Sequence, residues 1–511
     1  MVINLRPYQH EIVNKTRNLM SHGKKSVLIQ LPTGGGKTAL ASYMVKGVQD
    51  KNKTTWFCVH RKDLIRQTAV TFDQFNIPYS YIASGYSHDP YAKTHICSID
   101  TLRKRLDKLP APDVLMVDES HMAASSTWSK LIKTCRDNGS WVIGLTATPI
   151  RTDGSGLDDQ FDDMVRGPSM RWLIDNGFLS EYKLYAPHVP DMSGVGKRYG
   201  EYAQDQLAEK MMKDRARIKD ALGQYKKLAA GKLSLLYAVS REDSKNTAAE
   251  FCAAGIPAVH MDGETSMEER RRLINKFADR EIQVLTNVAL MDTGFDLASQ
   301  VGRDITVECI IDTAPTQSLA RQLQKFGRGL RKKDYPAIII DTAGNSLRHG
   351  LPCDEREWSL KGICKGERGE FEKTIPVKTC EKCFFTQKPC VVCKNCGYEF
   401  PINFRDIDEI EGDLKEVKKE LYAKTLEEAL EIAQKNNRPT YIEWSKTVNN
   451  KETWRYLAFI NSFLGNDLRQ KYRKMEVGMA KTYGDLKRIA DDRGYKSGWI
   501  MKQAQLKGIK V

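Results

Sequence analysis

The chain has 511 residues, 41% of them hydrophobic and 28% charged, with a formal net charge of +15. That length is too great for one core and predicts two to four domains of ordinary globular composition. No run approaches the roughly 18 apolar residues of a membrane span, and Met1-Val2-Ile3-Asn4-Leu5-Arg6-Pro7 has no signal-peptide core, so a cytoplasmic protein with no membrane partner is expected.

Leu5-Arg6-Pro7-Tyr8-Gln9 opens the chain. The planar amide of Gln9 can pair with an adenine edge, or it can be an exposed residue of a first helix. An apolar strand, Ser26-Val27-Leu28-Ile29, then runs into Leu31-Pro32-Thr33-Gly34-Gly35-Gly36-Lys37-Thr38 and a helical run from Ala39 to Val45. Strand, glycine turn and helix make a phosphate loop: inward backbone N–H groups and a helix N-terminus cradle the anion. Lys37 would reach the outer phosphates, and Thr38 would hold Mg²⁺. Leu31 stands where the strict loop has its first glycine.

Strand-like and helix-like runs then alternate. Trp56-Phe57-Cys58-Val59 leads into His60-Arg61, and His95-Ile96-Cys97-Ser98 leads to Thr101. Polar groups at such strand ends lie on the ligand edge of a parallel sheet. His60, Arg61 and Thr101 could grip a phosphate backbone there, or be solvated helix starts. Val114-Leu115-Met116-Val117 delivers Asp118-Glu119-Ser120-His121. Beside a phosphate loop, Asp118 can join the Mg²⁺ shell and Glu119 can deprotonate the attacking water. Trp141 to Leu145 is the next strand, and its hydroxyl-bearing end, Thr146-Ala147-Thr148-Pro149, could relay nucleotide state.

An Asp- and Gly-rich stretch from Arg151 to about Ser180 reads as a linker. A second alternating block follows, with strands expected at 234–239, 256–259, 282–286, 308–311 and 337–341. The two halves read as copies of one doubly wound architecture.

Pro32–Thr38, Asp118–His121 and Thr146–Pro149, in this order and spacing, resemble the superfamily 2 helicases of DExH type. Leu235 to Ser240, Leu285-Thr286-Asn287, Thr293-Gly294-Phe295-Asp296 and Gln324-Lys325-Phe326-Gly327-Arg328-Gly329-Leu330-Arg331 resemble the later motifs of that family. The resemblance implies hydrolysis of ATP with Mg²⁺ by Lys37, Asp118, Glu119, Gln324, Arg328 and Arg331. It implies a nucleotide contact surface of Arg6, Gln9, Thr33, Gly34, Gly35, Gly36, Lys37, Thr38, Asp118, Gly294 and Asp296. It also implies nucleic-acid contacts by His60, Arg61, Thr101, Ser240, Thr286 and Thr293. Arg328 and Arg331, three apart, share one helix face. Presented from a second domain, their planar guanidinium groups would act as arginine fingers. The opening Leu-Arg-Pro-Tyr-Gln, the Arg-Gly-Leu-Arg ending and Gly494-Tyr495-Lys496-Ser497-Gly498-Trp499 look most like DNA helicases and translocases of phage recombination and bacterial repair. An RNA helicase, or a nucleic-acid-binding protein with an inactive motor, is the alternative.

Seven of the twelve cysteines fall between Cys353 and Cys396. Cys380-x-x-Cys383 and Cys393-x-x-Cys396, nine residues apart, have zinc-knuckle spacing. Structural Zn²⁺ is expected, with redox or unligated thiols as the other readings and Cys390 as a rival ligand. Beyond residue 403 the chain turns charged and helical, with Trp444, Trp454, Tyr456 and Phe459 as a candidate small core. From Arg469 to Val511, 12 Lys/Arg against 4 Asp/Glu leave +8, interleaved with Tyr472, Tyr483, Tyr495 and Trp499. That mixture suits phosphate contact and base stacking, or a solvated helical face. The expected fold is α/β: two RecA-like doubly wound parallel-sheet domains in tandem (1–167 and, with the linker, 168–375), a zinc-ribbon-like module (376–402) and a basic helical C-terminal domain (403–511).

Overall fold

The apolar runs of the first half lie side by side as β1 (Ser26–Gln30), β2 (Thr55–Val59), β3 (Ser80–Ile82), β4 (Thr94–Ser98), β5 (Val114–Val117), β6 (Trp141–Thr146) and β7 (Asp163–Arg166). Their spatial order is β3-β4-β2-β5-β6-β1-β7, and every pairing is parallel. Parallel neighbours need crossovers, and helices supply them on both faces. Helix α1 (Pro7–Ser21) precedes the first strand, the crossovers include α2 (Lys37–Gln49), α3 (Lys62–Gln74), α4 (Ile99–Leu102) and α5 (Ser126–Asp137), and α6 (Met170–Asp175) follows β7. Successive side chains of a strand point to opposite faces, so each strand feeds two layers. Val27, Ile29, Phe57, Val59, Met116 and Ile143 enter one buried cluster. Leu28, Trp56, Cys58, Leu115, Val117 and Val142 enter the other.

The protein is seen here as a computed structural model that describes residues 4–122, 126–151, 154–187, 189–198, 200–290, 295, 297–362, 376–401, 477, 480–493, 495 and 497–509. The chain separates into two units, Met1–Asn403 and Phe404–Val511.

The first unit holds a second parallel sheet. After β8 (Tyr182–Tyr185) come a hairpin of β9 (Lys197–Arg198) and β10 (Glu201–Tyr202), then α7 (Gln204–Lys213) and α8 (Arg215–Leu228). The expected strands follow as β11 (Ser234–Tyr237), β12 (Ala258–His260), β13 (Val284–Asn287), β14 (Cys309–Asp312) and β15 (Ala337–Asp341). They are crossed by α9 (Arg241–Ala253), α10 (Met267–Ala278), α11 (Leu297–Val301) and α12 (Leu319–Gly329), and α13 (Asn345–His349) follows β15. The sheet order is β12-β13-β11-β14-β15-β8. The same alternation recurs: Leu235, Leu285, Ile310 and Ile339 face one layer, and Leu236, Val284, Ile311 and Ile340 the other. The architecture is therefore two RecA-like parallel-sheet domains in tandem.

The stretch read as a linker contains structure that its composition hides. β7 pairs with β1 at Val27↔Asp163 through Gln30↔Arg166 and completes the first sheet. It is four residues long and begins and ends in charge, so its apolar pattern is too short to read. β8 then starts the far edge of the second sheet beside β15.

A short hairpin of β16 (Lys378–Thr379) and β17 (Thr386–Gln387) carries Cys380 and Cys383 in its turn, and Cys393 and Cys396 follow it. In the second unit, α14 (Tyr483–Arg493) and α15 (Ser497–Lys507) enclose Leu486, Ile489, Ala490, Ile500 and Ala504, with Tyr483 and Trp499 packed at the border. The Tyr495 and Trp499 rings lie 4.8 Å apart. Trp444, Trp454, Tyr456, Phe459, Tyr472, Gly494 and Lys496 lie outside the described residues.

Helix α12 is held in place by a buried ion. Lys325 is 3% exposed, and its Nζ donates to Asp312 Oδ1 at 2.9 Å and to Ala314 O at 3.1 Å. Asn345 Nδ2 donates to the other Asp312 oxygen at 2.8 Å. Removing one member of such a pair strands a buried charge. Lys325→Met is expected to destabilise the second domain by about 3–5 kcal/mol. Urea titration should show a lower midpoint, and adding Asp312→Asn should return part of the loss.

Candidate active site: a cleft between the two sheets

The loop after β1 is shaped by two left-handed glycines, Gly34 and Gly36, each at φ +82°. Side chains are barred there by space as well. A Cβ on Gly36 would meet Gln9 Nε2 at 2.5 Å, and one on Gly34 would meet Leu179 Cδ2 at 2.6 Å. Leu31, fully buried, explains the missing first glycine. Its side chain joins the core beneath the loop and would lie 2.8 Å from a Cβ on Gly35. Helix α2 starts at Lys37, so its N-terminus opens directly from the loop.

Helix α1 grips that loop. Tyr8 Oη donates to Gly35 O at 2.8 Å, and Gln9 Nε2 donates to the carbonyls of Gly35 and Gly36, both at 3.1 Å. Gln9 Oε1 accepts from the Arg6 backbone N–H at 2.9 Å, so both ends of this amide are engaged within the chain. The Arg6 guanidinium donates to Tyr8 Oη at 3.0 Å and lies 5.0 Å from the centre of the Phe178 ring. The sequence reading missed Tyr8; its place in the opening motif beside Gln9 is the signal that could have found it.

Strand β5 delivers the acids. The Asp118 N–H donates to Cys58 O at 3.0 Å, extending the ladder with β2. Glu119 follows at φ +48°, in the left-handed region, with its N–H donating to Asp118 Oδ1 at 2.9 Å. Lys37 Nζ lies 3.8 Å from Glu119 Oε1, and His121 Nδ1 lies 3.4 Å from Glu119 Oε2. His121 Nδ1 is also 3.0 Å from Thr146 Oγ1, which donates to Thr148 O at 2.9 Å. A chain of polar contacts thus runs from the acid through His121 to Thr146 and Thr148.

The two carboxyls differ in charge behaviour. Burial, then the neighbouring Glu119, pushes Asp118 up to about 7. Burial pushes Glu119 the same way, but Lys37, His121, His60 and Arg328 outweigh it and hold the carboxyl below its ordinary range. Glu119 is therefore an anion at neutral pH, able to accept a proton. Lys37, Thr38 and Asp118 line one cavity with Phe57, Leu64 and Leu145. Hydroxyl and carboxylate oxygens are the donors a hard divalent cation takes, so this set fits Mg²⁺.

The second domain reaches the cleft through α12. A Cβ on Gly327 would lie 2.7 Å from Thr33 Cβ, so the helix passes directly over the phosphate loop. One residue on, the charge of Arg328 acts on Glu119. Gln324 is 3% exposed, and neither atom of its amide has a hydrogen-bond partner; the same holds for Thr33 Oγ1. Buried polar atoms left over at a cleft are hydrogen-bonding capacity that a polar ligand can use. Arg331 does not share a helix face with Arg328 as the spacing predicts, because α12 ends at Gly329; it bridges to Leu179 and its carbonyl accepts from Ser180 Oγ at 3.3 Å.

The residues expected at nucleic acid occupy varied places. His60 follows β2, with both ring nitrogens buried and without a hydrogen-bond partner. Burial, with His121 and Arg61 against the pull of Glu119, lowers it to about 4 and keeps it neutral. Arg61 crosses to the second domain, donating to Leu290 O at 3.2 Å and Ala289 O at 3.4 Å. Thr101 Oγ1 accepts from the Ser84 N–H at 3.1 Å. Ser240 caps α9, accepting from the Asp243 N–H at 3.1 Å. Thr286 is wholly buried, and its hydroxyl donates to Ser244 O at 2.9 Å and accepts from Ser244 Oγ at 2.9 Å. Thr293, Gly294 and Asp296 lie outside the described residues.

The four paired cysteines converge. Their Sγ atoms all lie within 4.8 Å of one another, with Cys380–Cys396 and Cys383–Cys393 both at 3.7 Å. Tetrahedral zinc at about 2.3 Å from each sulfur requires separations of roughly 3.8 Å, so the cluster fits that ion. Cys390 is outside it, with Sγ donating to Val392 O at 3.1 Å.

Residues 2–151 match the family described as "Type III restriction enzyme, res subunit", and residues 216–333 match "Helicase conserved C-terminal domain". A 51.5 kDa protein of a Lactococcus phage is 31% identical over 401 residues, covering 77% of this chain and 82% of that protein. IRC3 of Saccharomyces cerevisiae, which carries the name of an ATP-dependent helicase, is 27% identical over 67% of this chain and 52% of its own length. The DNA 3'-5' translocase XPB2 of Sulfurisphaera tokodaii is 26% identical, covering 66% of this chain and 81% of its own. With both conserved domains present in order around one cleft, the chain belongs to the superfamily 2 helicases.

Proposed function

We propose that this chain is an ATP-dependent DNA helicase or translocase, with its nucleotide held between domains 1–167 and 168–375. The observation that carries the reading is the meeting of charges from both domains at Glu119: Lys37 from the first and Arg328 from the second. In this reading Glu119 accepts a proton from the attacking water. The water oxygen bonds to the outer phosphorus, and the bond to the leaving diphosphate breaks. Mg²⁺ held by Thr38 and Asp118 would supply charge neutralisation at the outer phosphates. Lys37 binds those phosphates, while Arg328, with Arg331 behind it, stabilises their charge once the domains close. Similarity to a named DNA translocase favours DNA as substrate.

The first test measures ATP turnover with single-stranded DNA, duplex DNA, branched DNA and RNA. DNA is expected to stimulate most; stimulation by RNA alone would overturn the substrate assignment. Glu119→Gln should lower the stimulated rate by roughly 10²–10⁴-fold, as expected for loss of a general base. Arg328→Ala should keep ATP binding and lose roughly 10³–10⁵ in rate. Normal turnover in either variant would remove the motor assignment.

The module at 376–402 is proposed to hold one structural zinc on Cys380, Cys383, Cys393 and Cys396. Metal analysis of protein purified without chelators should find about one zinc per chain, and changing Cys380 and Cys383 to Ser should abolish it.

The C-terminal region, +8 from Arg469 onward, is proposed to add DNA contacts without contributing to hydrolysis. Each lost phosphate contact should flatten the slope of log K against log salt by roughly 0.7–0.9. A chain ending at Asp467 should bind DNA more weakly with a shallower slope, yet keep its ATPase at saturating DNA. Equal slopes for the two proteins would show a solvated basic face instead.

A further inference from the structure

Strand β2 runs beside β5 with Cys58 opposite Val117, and the Asp118 N–H continues that ladder to Cys58 O at 3.0 Å. The chain leaving β2 therefore emerges next to Asp118 and Glu119, and His60 is the second residue past the last rung. Its two ring nitrogens are buried and have no hydrogen-bond partner. A neutral imidazole offers one donor and one acceptor, and leaving both unused in the interior is costly. Glu119 Oε2 is likewise buried without a hydrogen bond. His121 Nδ1 lies 3.4 Å from that oxygen but is engaged by Thr146 Oγ1 at 3.0 Å, and Lys37, 3.8 Å from Oε1, is the group the phosphates would claim.

The next residue points elsewhere. Arg61 donates to the carbonyls of Ala289 and Leu290, in the loop after β13 of the second domain. Ala289 sits in the left-handed region at φ +52°. Two consecutive residues thus lie at the end of the strand beside the acids of one domain and on the backbone of the other. A displacement of the second domain that pulls on Arg61 is felt one residue away at His60.

We propose that His60 is a positioning residue for hydrolysis: it holds the Glu119 carboxylate when Lys37 turns to the phosphates, and Arg61 ties its place to that of the second domain. The proposal rests on the hydrolase reading of the cleft. His60 would donate to Glu119 and fix the direction from which the carboxylate meets water. Its placement differs from a strand-gripping role, because both ring nitrogens are buried.

The test uses the full chain at saturating single-stranded DNA, reading kcat and KM for ATP together with the affinity for a fluorescent non-hydrolysable ATP analogue. His60→Ala should lower kcat about tenfold, equivalent to about 1.4 kcal/mol of barrier. KM and analogue affinity should stay within about twofold, as for an interaction made on the way to the transition state. His60→Asn, which keeps a neutral donor, should recover most of the rate. If His60→Ala does not fold, His60→Phe takes its place against His60→Asn, with Phe slow and Asn near wild type. Arg61→Ala should lower kcat even at saturating DNA. Wild-type kcat in His60→Ala, or equal impairment of Asn with Ala or Phe, overturns the positioning role. An Arg61→Ala effect confined to the DNA concentration needed for half-stimulation overturns the tie to the second domain. Absence of ATPase in the wild-type chain would instead defeat the hydrolase reading itself.

Discussion

The structure turns on one buried anion. Glu119 is 5% exposed and remains ionised because the charges of Lys37 and Arg328 act on it. A carboxylate taken out of water costs several kcal/mol unless charges and hydrogen bonds offset the loss. Lys37 contributes from its own domain, and Arg328 contributes from across the cleft. Coulomb energy falls with distance, so the share from Arg328 depends on how the two domains stand. In the proposed mechanism, the same carboxylate that would activate water would also register closure. No separate sensor is needed for hydrolysis to depend on the second domain.

That dependence demands a rigid α12. The helix carries Gly327 against Thr33, and any side chain at 327 would push the arginine-bearing face away from the loop. Its own footing is the Lys325–Asp312 pair, which Asn345 completes from α13. Residues two apart on this helix serve opposite sides: Lys325 faces the second domain's interior, while Gly327 faces the first domain. The phosphate loop has an equivalent footing in Tyr8 and Gln9, whose bonds to Gly35 and Gly36 fix the carbonyls and leave loop N–H groups for an anion.

Sequence and structure agree where chemistry is local. A phosphate loop is one strand, one turn and one helix start, and the acid pair is one strand end; each is complete within a dozen residues. The paired cysteines belong to the same class, since knuckle spacing alone brings two thiolates together. Long-range packing was hidden. Nothing near Gln9 says that its amide will bond to a loop beyond α1, nor does Gly327 announce Thr33. Strand β7 escaped because four residues with charged ends carry no readable period. His60 read as one of several polar strand ends, and only the register of β2 against β5 places it beside Glu119.

The cysteine module also has a place that composition alone does not suggest. The second sheet would end at β8 with unpaired backbone groups, the liability of any edge strand. The cysteine hairpin covers part of it. Tyr185 bridges to Phe385, the Ala186 N–H donates to Phe384 O at 3.0 Å, and the rings of Tyr185 and Phe385 meet edge-on at 5.7 Å. Phe384 occupies the knuckle position where glycine is common, at φ +60°. Left-handed backbone costs a non-glycine residue on the order of 1–2 kcal/mol. Here that conformation turns the Phe384 carbonyl toward β8 while its N–H closes the knuckle on Cys380 O at 2.7 Å. The strained residue thus serves both the cysteine cluster and the sheet edge, coupling the order of the metal-fitting site to the domain that carries α12.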